Sequence, residues 1–134
     1  MHLNPYLTFK GDCEAAFKFY EKVLRGKIGG MLRFADMPGH GPANWSDKIM
    51  HAYMKIGDGV LMASDAPPDR FEPMKGIWVS LHIKEAAEAD RVFHALAEKG
   101  TAVMPIQETS WAKRFGMLID QFGTPWMVNC SKEG

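Results

Sequence analysis

The chain has 134 residues, 46% hydrophobic and 24% charged, with 16 Lys plus Arg balanced by 16 Asp plus Glu. This is globular composition with no net field, which argues against nucleic acid or an anionic membrane surface as a partner. The opening MHLNPYLTFK lacks the apolar core of a signal peptide, and no run approaches the ~20 apolar residues of a membrane span, so a cytoplasmic location is expected.

Residues 3 to 10 alternate, with Leu3, Pro5, Leu7 and Phe9 on one side and Asn4, Tyr6, Thr8 and Lys10 on the other, which predicts a half-buried strand. Gly11-Asp12 then supplies a turn and an N-cap. Ala16, Phe19, Tyr20 and Val23 recur at helical spacing, and Gly26 stops that helix after Arg25. Cys13, inside it, and Cys130 near the far end have no C-x-x-C spacing and are expected as reduced packing residues. Strands are predicted at 27 to 35, 48 to 57 and 59 to 65, separated by the loop DMPGHGPANWSD and the turn Gly57-Asp58-Gly59. The loop, with Trp45, is open to two readings, a flexible flap carrying an aromatic over the cavity or a disordered segment.

The segment from 65 to 76, DAPPDRFEPMKG, has three prolines and reads as a connector. The order then starts again. Ile77, Val79, Leu81 and Ile83 alternate with Trp78, Ser80, His82 and Lys84. A helix carries Ala89, Val92, Phe93 and Leu96 on one face and stops at Gly100, and strands follow near 101 to 109, 114 to 120 and 124 to 131. Slid 74 positions along itself, the chain matches Leu7, Lys10, Glu14, Ala15, Phe19 and Gly26 with Leu81, Lys84, Glu88, Ala89, Phe93 and Gly100. Shared element order and identities together predict an α+β fold. It has two tandem β-α-β-β-β modules, about 1 to 66 and 76 to 134, in one domain spanning 1 to 134.

A helix on each sheet buries one strand face, under which Leu7/Phe9 and Val79/Leu81/Ile83 belong. The opposite faces collect Asn4, Tyr6, Thr8, His51, Tyr53, Ser64, Trp78, Ser80, His82 and Asn129, a polar and aromatic mixture suited to a small-molecule cleft. A dimer interface is the alternative use of such a face.

The stretches NPYLTFKGDCEAAFKFY, IMHAYMKIGDGVLMASDAPP and SWAKRFGMLIDQFGTPWMVN, set in paired modules, resemble the PhnB-like branch of the vicinal oxygen chelate superfamily of glyoxalases, ring-cleaving dioxygenases and bleomycin-resistance proteins. The resemblance covers nearly the whole chain. It implies a curved sheet from each module, the two closing as a half-barrel around a ligand cavity, and commonly a homodimer. Some relatives carry the label 3-demethylubiquinone 3-methyltransferase. The G-x-G-x-x-G turn expected of a doubly wound methyltransferase does not occur in this sequence.

In metal-dependent members of the superfamily, His or Glu side chains from the first and last strands of the modules hold one divalent ion. Matched position by position, the resemblance puts Asn4, Met62, Trp78 and Met127 there, and the 74-residue offset independently pairs Asn4 with Trp78. Thioether and indole groups do not suit first-row metals, so no metal and no cofactor are expected.

His51 is the candidate catalytic residue, because an imidazole exchanges protons near neutral pH without a metal; its alternative is a structural histidine. Asn4, Tyr6, Tyr53, Met62, Ser64, Trp78, Ser80, His82, Met127 and Asn129 are the candidate ligand-binding residues, with Trp111 and Arg114 added as an aromatic shelf beside a guanidinium. Alternatively, Arg114 stacks on Trp111 as surface packing. The leading expectation is a metal-independent small-molecule binding or sequestration protein, acting as a homodimer. The other is an enzyme, either a metal-dependent lyase, isomerase or dioxygenase or a His51-dependent proton-transfer catalyst.

Overall fold

The computed structural model describes residues 1–37, 39 and 41–132. The chain divides into two compact units, Met1–Pro73 and Met74–Gly134. The first runs β1 (Tyr6–Phe9), α1 (Cys13–Leu24), β2 (Lys27–Arg33), β3 (Ile49–Ile56) and β4 (Gly59–Asp65). The second runs β5 (Val79–His82), α2 (Ala86–Ala97), β6 (Thr101–Gln107), β7 (Ala112–Ile119) and β8 (Pro125–Ser131). Each is a β-α-β-β-β module with one open mixed sheet, ordered β1-β4-β3-β2 and β5-β8-β7-β6, in which only the β1–β4 and β5–β8 pairs are parallel.

Period-2 alternation sends Leu7 and Phe9 of β1, Ala52 and Met54 of β3, and Leu61 and Ala63 of β4 to one buried face. The buried stripe Cys13, Ala16, Phe17, Tyr20 and Val23 of α1 belongs to the same core. In the second unit Ala89, Val92, Phe93 and Leu96 of α2 are buried with Leu118, Trp126, Val128 and Cys130. β1 begins at Tyr6 rather than residue 3. Pro5 has no N–H for a ladder, although its carbonyl still accepts from Met62 N at 3.1 Å.

Asp12 does not cap α1 with its side chain; its φ of −112° and ψ of 24° leave the extended geometry a cap needs. A distant carboxylate serves instead. Buried Asp65, ending β4, accepts from Gly11 N at 3.0 Å and Cys13 N at 2.9 Å through Oδ1, and from Ile49 N at 2.9 Å through Oδ2. Asp120 plays a comparable part in the second unit, accepting from Phe122 N, Thr124 N and Trp126 Nε1 at 2.8, 3.0 and 2.8 Å.

Gly26 and Gly100 do follow the helices, but the left-handed residues are those before them, Arg25 at φ 54° and Lys99 at φ 62°. The glycines permit close approach. A Cβ on Gly26 would lie 2.8 Å from Met54 Sδ, and one on Gly100 would lie 2.9 Å from Asp120 Cα.

Neither open reading of the loop from 36 to 47 fits Trp45. Two short 3-10 helices, Phe34–Asp36 and Ala43–Trp45, occupy much of the loop. Trp45 is buried, with Lys48 Nζ 5.8 Å from its ring centroid, so this aromatic is core rather than a cover. Pro38 and His40 of that loop lie outside the described residues. Glu14 accepts from Arg33 Nη2 at 2.9 Å and pairs with Lys18 Nζ at 3.0 Å; these two hydrogen bonds, Arg33's the larger influence, lower its carboxyl to about 2.

Candidate functional site

In the first unit the face opposite α1 presents Tyr6 and Thr8 of β1, Met62 and Ser64 of β4, and His51 and Tyr53 of β3. Register places Tyr6, Met62 and Tyr53 in one row across the three strands, with Thr8 beside Ser64. Tyr6 and Tyr53 are exposed, and the other four are half-buried. Tyr6 Oη lies 3.1 Å from His51 Nδ1, and their rings stack at 5.7 Å between centroids and 30° between planes. The phenol donates when Nδ1 is bare and accepts when it is protonated. The Tyr53 ring centroid lies 6.5 Å from that of the same imidazole, tilted by 35°. The three rings thus form a contact run on one face, Tyr6 to His51 to Tyr53, with a hydrogen-bonding pair at its Tyr6 end.

The second unit repeats the register with different chemistry. Ser80, Met127 and Met117 form the row equivalent to Tyr6, Met62 and Tyr53, and His82, Asn129 and Phe115 form the next. Asn129 Nδ2 and Ser80 Oγ each lie 3.4 Å from a ring nitrogen of His82, Nδ1 and Nε2 respectively. The imidazole has moved from the third strand of the first module to the first strand of the second.

Asn4 and Trp78 precede β1 and β5, Asn4 exposed and Trp78 half-buried; Met62 and Met127 are half-buried within β4 and β8. By side-chain type, an amide in one unit, an indole in the other and a thioether in each are poor ligands for a hard divalent cation. Among the described residues no group of three His, Cys, Asp or Glu side chains is placed to hold a metal.

Trp111 and Phe115 meet edge-on at 5.6 Å. Arg114 does not join them in a shelf: it shares the parity of Gly116 and Leu118, on the helix side of β7, and its Nε reaches Asp90 Oδ1 of α2 at 3.1 Å. Neither cysteine offers a nucleophile; both are free and buried, and burial, followed by the charge of Asp65, pushes the Cys13 thiol up.

One feature of the face was not read from the strand pattern. Gly29 and Gly30 of β2 sit directly against the Tyr53 ring, where a Cβ on Gly29 would overlap it and one on Gly30 would lie 2.7 Å from Cε1. The paired glycines within an alternating strand were the available signal.

Residues 1–129 match the family model described as 3-demethylubiquinone-9 3-methyltransferase. The chain belongs to this PhnB-like family. It is 33% identical to Protein YjdN of Escherichia coli K12, across 99% of this chain and 97% of that one. Among solved structures it is similar to PA1353 from Pseudomonas aeruginosa (TM-score 0.91, 48% identity, 98% of both chains). It is also similar to the Bacillus cereus PhnB protein described as a putative 3-demethylubiquinone-9 3-methyltransferase (TM-score 0.82, 26% identity, 98% of this chain and 100% of that one). A glyoxylase/bleomycin resistance protein/dioxygenase domain from Frankia shares the fold at TM-score 0.70 and 14% identity, over 98% of each chain. The PhnB-like chain therefore has the fold of that glyoxylase/bleomycin resistance protein/dioxygenase domain.

Proposed function

We propose that this PhnB-like protein binds and sequesters a small aromatic or otherwise hydrophobic molecule without a metal, on its polar and aromatic sheet faces. The observation that carries this reading is the ring run Tyr6, His51 and Tyr53, with the 3.1 Å Tyr6–His51 contact at its end. Rings supply stacking area at small conformational cost, and the phenol and imidazole fix orientation through hydrogen bonds. His82, Ser80 and Asn129 offer a second polar strip in the other unit. The unsuitable donors at Asn4, Met62, Trp78 and Met127 favour binding that needs no Lewis acid. The family's methyltransferase description finds no support in the sheets, since each mixes one parallel pair with antiparallel pairs rather than forming a doubly wound parallel sheet with a glycine-rich turn.

Proton transfer at His51 is the second reading, favoured by the partner that Tyr6 gives it. Both readings meet one experiment. Protein purified without tag or chelator is examined by native mass spectrometry and elemental analysis. Binding predicts a retained organic molecule, well under one equivalent of zinc, nickel, iron or manganese, and loss of retention in a folded His51→Ala variant. A retained compound that the protein consumes, and the variant does not, would select proton transfer. Stoichiometric metal would overturn the metal-independent reading.

A further inference from the structure

Gly29 and Gly30 lie in an edge strand, where glycine forgoes side-chain packing and backbone order. Neither has the positive φ that would require glycine. The irregularity between Ile28 and Gly30 sets two residues of β2 against one of β3, and Tyr53 is the register partner of Gly30. Its ring straddles that pair. A Cβ on Gly29 would meet the Cε2 edge and lie 2.8 Å from Cζ, while one on Gly30 would meet the opposite edge, 2.7 Å from Cε1 and 3.4 Å from Cδ1. Such separations are below van der Waals contact, so either side chain displaces the ring. Displacement would move Tyr53 relative to His51, its neighbour in the ring run.

We infer that Gly29 and Gly30 are positioning residues which seat Tyr53 as the outer member of the ring run, and so set the site's preference for a flat ligand. This rests on the binding reading above. Tyr6, Thr8, His51, Tyr53, Met62 and Ser64 include no carboxylate and no lysine or arginine, and Lys55, next on that face of β3, lies one row beyond Tyr53 opposite Lys27; the ligand that fits the ring run itself is therefore an uncharged planar ring system with a hydroxyl or carbonyl for the Tyr6–His51 pair. A saturated ring of the same outline is thicker and loses the stacking.

The test uses 2-naphthol as probe and decahydro-2-naphthol as its saturated counterpart, with binding to the full chain followed by titration calorimetry. The unmodified protein should bind 2-naphthol at least ten-fold more tightly than the saturated compound. Gly30→Ala and Tyr53→Ser should each weaken 2-naphthol binding about ten-fold. Combined, they should be no more than two-fold worse than Tyr53→Ser alone, because the alanine acts only through the ring. Multiplying losses, or unchanged binding in Gly30→Ala, would overturn the positioning role and leave the binding reading standing. No binding of either compound by the unmodified protein would overturn the ligand class, whereas a purified protein retaining no organic molecule at all would overturn the binding reading itself. Should Gly30→Ala fail to fold, nuclear Overhauser contacts from the Tyr53 ring to Gly29 and Gly30 Hα decide the seat, and their absence overturns it.

Discussion

Asp65 shows how one side chain can replace several local devices. Its carboxylate accepts three backbone N–H groups, from Gly11, Cys13 and Ile49, and so ties the entry of α1 and the start of β3 to the end of β4. Removing it leaves those donors without a partner in a dry environment, at about 1–3 kcal/mol for each buried donor that water cannot reach. Asp65→Ala is expected to destabilise the chain by about 3 kcal/mol, read by urea unfolding with m unchanged. A loss below about 1 kcal/mol would mean the three donors find water or other acceptors. This role was not legible in the sequence, because the nearest of its partners is 16 residues away and Asp12, next to the helix, is the obvious local cap. The site divides along the same line. Alternation alone put His51, Tyr53, Tyr6 and Ser64 on one face, yet Tyr6 as partner of His51 depends on a register joining residues 45 apart. Arg114 went the other way: it has the parity of Leu118, which alternation turns to the helix side, so its nearness in sequence to Phe115 did not put it on that residue's face.

Helices and strands were more legible than their ends. Periods of 3.6 and 2 separated α1 and α2 from the sheets because each element buries one face only, and the repeated order followed from that. The glycines at the helix ends were correctly read as boundaries but not for the right reason. In both modules a long charged residue takes the left-handed turn, Arg25 in the first and Lys99 in the second, 74 positions apart, while the glycine behind it makes room for a neighbouring strand or loop. Lys99 is exposed with φ 62° and carries the steric penalty of a Cβ in that region. Lys99→Gly is therefore expected to stabilise the chain by about 0.5–1 kcal/mol, with part of the steric relief offset by the freer unfolded chain. Gly100→Ala is expected to do the opposite, because its Cβ would press on the backbone of Asp120. Parallel thermal melts check both, and a stabilised Gly100→Ala would show that Asp120 yields easily.

At the scale of the molecule, what remains on the surface asks for a partner. β1 and β2 are the outer strands of one sheet and β5 and β6 of the other, and outer strands carry unpaired N–H and C=O groups. Pro105 in β6 and the irregularities in β2 blunt two of these edges. Large apolar side chains also stay exposed, among them Ile77 at 69%, Trp111 at 60% and Val103 at 50%. Such residues cost free energy in water that a second copy can recover, and identical chains do so most simply around a two-fold axis. Sedimentation at micromolar concentration is expected to show a dimer, and a species at the 15.0 kDa chain mass would refute it. The same measurement separates ligand face from interface. If a dimer uses Ile77, Trp111 or Val103 while Tyr6 and Tyr53 hold the ligand, saturating 2-naphthol leaves its sedimentation unchanged. If the probe instead dissociates the dimer, Tyr6 and Tyr53 belong to the contact between copies, and their aromatic character reflects association rather than ligand recognition.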